Sequence, residues 1–96
     1  MAVGIYVRPA SMTAQQYDEC IRKRAAAGAS APAGRLYHAC FGEGETLAVF
    51  DVWDSQESFE RFGTILSPIL AEIGVDLGKP HVMPIHNVIV ASAAAV

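Results

Sequence analysis

The chain opens on an alternation of period two. VGIYVR at 3–8 mixes β-branched and aromatic residues and Pro9 stops it, which predicts a strand. From Met12 the period lengthens and predicts a helix to Ala27. Thr13 reads as its N-cap, and Gln16 completes a capping box. Met12 before the cap and Tyr17 inside the helix have the spacing of a hydrophobic staple. Tyr17, Ile21 and Ala25, with Cys20 beside them, predict a narrow buried stripe. Asp18, Glu19, Arg22 and Lys23 supply the wet face, and Arg22, Lys23 and Arg24 suit the negative end of the helix dipole. Gly28 is the expected stop, and ASAPAG at 29–34 reads as a linker.

RLYHACF at 35–41 and TLAVFDVW at 46–53 read as a hairpin around Gly42-Glu43-Gly44-Glu45. If Phe41 faces Thr46, then Leu36, His38, Cys40, Leu47, Val49, Asp51 and Trp53 share one face. Tyr37, Ala39, Phe41, Ala48, Phe50 and Val52 share the other. Both faces are largely apolar, unlike an antiparallel sheet with one wet side. Asp54 or Ser55 caps a second helix, with Glu57 favouring Asp54, and Phe59, Phe62, Leu66, Ile69, Leu70 and Ile73 form its stripe. Ser67-Pro68 reads as a fresh start, so two short helical pieces with a kink are expected before Gly74. HVMPIHNVIV at 81–90 reads as a last strand, kept to an edge by Pro84, and 91–96 as a flexible tail.

The order β-α-β-β-α-β is the split βαβ, ferredoxin-like plan, one α+β domain over 1–90 with a four-stranded antiparallel sheet. Two helices cover one face of that sheet. In 96 residues, 52% are apolar and 18% charged, against about 25% charged in an average domain. The uncovered face is therefore expected to pack on a second copy, giving a homodimer. The longest apolar runs fall short of the ~20 residues of a membrane span.

The formal charge of −3, with no basic run, argues against nucleic acid. MAVGIYVRPA lacks the features of a signal peptide, so a cytoplasmic protein is expected. Cys20 and Cys40 have no metal-like spacing and read as reduced thiols. His81 and His86, five apart on a strand, point to opposite faces and cannot share a metal. No glycine-rich phosphate loop is present, since no helix start or Lys follows GEGE. Neither a cofactor nor a metal is expected.

AVFDVWDSQESFERF at 48–62, flanked by RLYHACFGEG and PHVMPIHNVIV, resembles the dimeric α+β barrel superfamily, in particular small proteins similar to antibiotic-biosynthesis monooxygenases. The likeness lies in a strand ending in an acidic-x-aromatic pattern before a Ser-capped helix. It spans residues 3–90 in layout and is motif-like only in the middle third. It implies a homodimeric barrel and a pocket between sheet and helices. It also implies one of several activities, among them cofactor-free oxygenation, haem degradation, isomerisation and polyketide cyclisation, or none. Many monooxygenase-like members have a His where Phe62 stands, and haem-degrading members depend on a helical His. The second helix here has none, which counts against both activities.

The candidate chemistry lies on the hairpin. His38 and Asp51 are predicted to be diagonal neighbours, and a carboxylate beside an imidazole orients the ring and raises its basicity. Trp53 would offer a wall for a planar ligand, with Tyr17, Tyr37 and His86 as further binding candidates. The competing reading is a satisfied polar pair in a half-buried sheet, with Trp53 as core. Arg35 and Asn87 read as rim residues or dimer contacts, and Tyr6 and Arg8 as barrel core or rim, with a pocket-lining role as their alternative. Two functions remain open: an enzyme acting on a hydrophobic or aromatic small molecule, with His38 as base and Asp51 as its orienter, or a non-catalytic ligand-binding or accessory protein.

Overall fold

The computed structural model describes residues 1–90; the tail expected over 91–96 lies outside the described residues. Six elements follow one another: β1 (Val3–Val7), α1 (Ala14–Ala26), β2 (Arg35–Phe41), β3 (Ala48–Trp53), α2 (Gln56–Ile73) and β4 (His81–Pro84). The strands form one sheet in the order β2-β3-β1-β4, every pairing antiparallel. This is the ferredoxin-like α+β arrangement.

Thr13 caps α1 as expected. Its hydroxyl accepts from the Gln16 backbone N–H, while the Gln16 side chain accepts from Thr13 N–H. The inward stripe of α1 differs from the expected one. Cys20 and Arg24 are buried, whereas Ile21 and Ala25 are exposed. The seam runs 17-20-24, and it brings a cation inside. In α2, Ser55 is the cap rather than Asp54, and its hydroxyl accepts from Ser58 N–H. The helix passes through Pro68 as one continuous element. The apolar stripe on either side of Pro68 is anchored in the core by Phe62, Ile69 and Leu70, and that packing offsets the lost backbone bond.

The hairpin is shifted from its expected register by two residues. Thr46 forms a parallel bridge with Met12; Met12 N–H donates to Glu45 O at 2.8 Å, and Leu47 N–H donates to Met12 O at 3.2 Å. That claim on Glu45 and Leu47 delays β3 to Ala48, which pairs with Phe41. His38 therefore faces Asp51 directly, not diagonally. A bulge at Leu36 then lets Arg35 pair with Trp53. Leu36, expected beside His38, is pushed out to 64% exposure.

β4 stops at Pro84 instead of continuing to Val90. Ile85 N–H still reaches Ala2 O at 3.0 Å, but residues 86–90 leave the sheet and are exposed. Pro84 contributes no donor, and β4 is an edge strand as expected. Val3, Ile5, Val7 and Trp53 pack against Phe62 beneath the helices, and Met12, Cys20, Leu47, Ile69 and Leu70 fill the other end of this core. The opposite face carries Tyr6, Tyr37, Phe41, Phe50 and Met83. There Tyr37 (45%), Phe41 (48%) and Met83 (64%) are exposed. No described helix is long and apolar enough to cross a membrane.

Candidate functional site

Side chains from α1, β2 and β3 meet between sheet and helices. Tyr17 Oη lies 2.6 Å from His38 Nε2, and His38 Nδ1 lies 2.5 Å from Asp51 Oδ1. Trp53 Nε1–H donates to the other Asp51 oxygen at 3.2 Å. With Asp51 ionised, one proton arrangement satisfies every atom. The Tyr17 hydroxyl donates to Nε2, Nδ1–H donates to the carboxylate, and the indole N–H donates to it as well. In this arrangement the acceptor nitrogen of His38 is turned toward Tyr17. Burial pushes the Tyr17 phenol above its usual pKa near 10. Cys40 and Asp51 act in the same sense, while Arg24 and Arg35 oppose them. Tyr17 is therefore a proton donor at neutral pH.

This chain of hydrogen bonds borders a cavity of about 60 Å³. Its walls are mainly apolar, among them Val7, Met12, Val49, Phe59 and Leu66. The polar groups are Tyr17, His38, Asp51, Arg24 and Arg35. The volume exceeds the ~15 Å³ that admits one water and is below the ~300 Å³ of a typical ligand pocket. A ligand here is small, or side chains move to admit it.

The structure brings together only part of the sequence-predicted set. Tyr17, His38 and Asp51 line the cavity. Trp53 is fully buried behind it, packed on Phe59 and Phe62, and touches the site through Asp51. Tyr37 lies on the other face of the sheet beside Phe50. His86 is exposed in the segment after β4. Arg35, read as a rim or contact residue, lines the cavity because the Leu36 bulge brings it to the helix side. Arg24, read as part of the charged end of α1, is buried there too. A helical seam through Cys20 at spacings of three and four would have pointed to Arg24. Both thiols are free, and burial raises both above the usual thiol pKa. Among the described residues no cluster of His, Cys, Asp and Glu is arranged to hold a metal.

No protein-family model matches the chain, and no curated protein matches it. Solved structures do. SnoaB, a cofactor-independent oxygenase from Streptomyces nogalater, superposes with a TM-score of 0.66 at 15% identity, over 91% of this chain and 95% of that one. A protein from Chloroflexus aurantiacus J-10-fl assigned as an antibiotic biosynthesis monooxygenase gives 0.61 at 17% identity, over 95% and 100%. NE2512 of Nitrosomonas europaea, a protein of unknown function, gives 0.64 at 12%, over 96% of each chain. At these identities the likeness is one of fold: the chain has the ferredoxin-like α+β architecture found in SnoaB and the antibiotic-biosynthesis-monooxygenase type of protein.

Proposed function

We propose that this protein is a cofactor-independent enzyme that removes a proton from a small hydrophobic or aromatic substrate held between the sheet and the helices. The observation that carries the reading is the unbroken chain Tyr17–His38–Asp51 along a mainly apolar cavity. The Tyr17 oxygen takes the substrate proton as its own proton passes to His38 Nε2. The substrate loses one proton, and His38 gains one. The imidazolium that forms is stabilised by Asp51, whose orientation Trp53 fixes. The resulting substrate anion is the common starting point for attack on molecular oxygen and for reprotonation at another carbon, as in an isomerase or cyclase. The oxygenase activity named for SnoaB supports the first course.

The exposed apolar face of the sheet supports a homodimer formed through Tyr37, Phe41 and Met83. Two free, shielded thiols suit a cytoplasmic setting. The small cavity volume favours a second reading, a non-catalytic protein in which His38 and Asp51 are a structural pair.

The test is hydrogen–deuterium exchange at the acidic C–H of a small aromatic ketone such as 2-tetralone, followed by NMR. The enzyme reading expects acceleration by the wild type. In folded His38→Ala and Asp51→Asn proteins it expects loss of most of the ~10²-fold or greater general-base contribution. If the wild type gives no acceleration, or both variants simply unfold the dimer, the pair is structural.

A further inference from the structure

Two guanidinium groups reach the same cavity. Arg24 is only 4% exposed, yet it forms no salt bridge among the described residues. Its Nε is buried without any hydrogen-bond partner. One Nη reaches the backbone oxygens of Ala29 and Ser30 at 3.3 and 3.4 Å, long contacts to neutral acceptors. Arg35 likewise has no carboxylate partner among the described residues. Both guanidiniums lie over the Phe62 ring, at 5.0 and 5.9 Å from its centroid. The ring attracts cations weakly and supplies no counter-charge. Asp51, the one carboxylate lining the cavity, is already engaged by His38 and Trp53.

Two cations and one anion leave a single positive charge uncompensated in a mostly apolar space. A buried cation without a partner is costly, and a bound anion removes that cost. We infer that Arg24 and Arg35 form an anion subsite that takes the carboxylate of a small aromatic or unsaturated acid, with the apolar body of that acid directed toward Tyr17. This rests on the cavity being the ligand site proposed above and narrows its substrate class. A monoanion matches the charge balance. A planar carboxylate matches the fork of a guanidinium and fits a narrow space that a hydrated phosphate does not. Burial, then the like charge of Arg24, holds the Arg35 pKa below its usual value, a crowding that a bound anion would relieve.

The experiment is calorimetric titration of the full chain with benzoate, the smaller crotonate, and benzamide as the neutral counterpart of benzoate. The subsite expects at least one carboxylate to bind in the millimolar range or tighter, with benzamide at least about tenfold weaker than benzoate if benzoate is the binder. Arg24→Met and Arg35→Met should each abolish carboxylate binding. Arg24→Met removes a buried unpaired cation, so it should be at least as resistant to urea as the wild type; Arg35→Met, at a less buried position, keeps the test open should Arg24→Met fail to fold. Failure of both carboxylates to bind, equal affinity for benzamide and benzoate where benzoate binds, or retained carboxylate binding in the folded arginine variants overturns the subsite. Such a result leaves the proton-transfer reading standing if His38→Ala still abolishes exchange. Exchange unaffected by His38→Ala alongside arginine-dependent carboxylate binding overturns the catalytic reading alone.

Discussion

The phenol of Tyr17 and the imidazole of His38 lie within 4° of parallel, with Oη 2.6 Å from Nε2. One belongs to α1 and the other to β2, so this contact ties the first helix to the hairpin across the cavity. With Nδ1–H donating to the Asp51 carboxylate, Nε2 is left to accept from the phenol. Tyr17→Phe should place the unpartnered Nε2 in the cavity and cost about 1 kcal/mol in urea unfolding. In the wild type, nitrogen chemical shifts should report a proton on Nδ1. A proton on Nε2 would contradict the hydrogen-bond chain.

The same phenol makes an alkaline prediction. Burial raises its pKa above 10, so the folded protein holds a proton that the unfolded chain gives up. The stability tied to Tyr17 is therefore whole below pH 10 and is lost as pH rises through the folded-state value. Phenolate absorbance should show one tyrosine titrating late in the wild type and missing in Tyr17→Phe. Unfolding free energies of the two proteins should converge as the pH climbs above 10. Parallel profiles would mean that Tyr17 titrates as it does in the unfolded chain.

Asp51 has a separate role from Tyr17, because it serves two donors at once. It is 6% exposed, and it accepts from His38 and Trp53. Asp51→Asn substitutes an NH2 for one of the two acceptor oxygens and removes the charge, so one donor loses its partner. The expected cost is about 2 kcal/mol, with a shift in Trp53 fluorescence. A change below about 0.5 kcal/mol would show that neither bond holds in solution.

The layout was legible in the chain because period and punctuation are local. Pro9, the Thr13–Gln16 box, Gly28 and Gly74 mark ends by their own backbone preferences. The register of the hairpin was not, because it is set by Met12, thirty-four residues before its partner Thr46. No local pattern in GEGETL announces that bridge. His38 and Asp51 were found because two chemistry-bearing residues shared a face under either register, since a slip of two keeps parity. Arg35 was misread because parity fails at the Leu36 bulge. Arg24 was misread because a cation near a helix C-terminus has a sufficient surface explanation. Only packing shows that it turns inward. Pro68 shows the converse: local chemistry asked for a break, and the buried stripe on both sides overrode it.

The outer face of the sheet yields a prediction about assembly. Phe41 is 48% exposed and stacks on Tyr6 at a centroid distance of 6.3 Å, and Tyr37 is 45% exposed. A charge placed there is tolerated by a monomer but not inside a sheet-to-sheet contact. Sedimentation equilibrium at micromolar concentration should find a dimer for the wild type and a monomer for Tyr37→Glu/Phe41→Glu, with helix content unchanged. A wild type that sediments as a single copy would remove the homodimer.

Gly34 holds Arg35 in place, and its substitution should be far more damaging than that of a glycine with similar dihedral angles elsewhere. Its φ is +91°, and its carbonyl accepts from Asp54 N–H at 2.8 Å, which ties the start of β2 to the end of β3. A Cβ at this position would lie 2.6 Å from the Ser58 Cβ and Oγ and 2.7 Å from Asp54 Oδ1. Those atoms belong to the polar cluster that starts α2, where the Ser58 hydroxyl donates to Asp54 at 2.6 Å, so they have little room to retreat. Around Gly28, with φ of +74°, no atom lies within 4 Å of the place a Cβ would take, so Gly28→Ala meets backbone strain alone. Gly28→Ala should therefore cost about 1 kcal/mol, the left-handed penalty of an L-residue. Gly34→Ala should add overpacking to that penalty and cost about 3 kcal/mol in total. Because the clash displaces the backbone next to Arg35, Gly34→Ala should also weaken ligand binding in the cavity, whereas Gly28→Ala should leave it unchanged. Equal unfolding free energies for the two variants would show that the β2 entrance is looser than the contacts at Ser58 and Asp54 require.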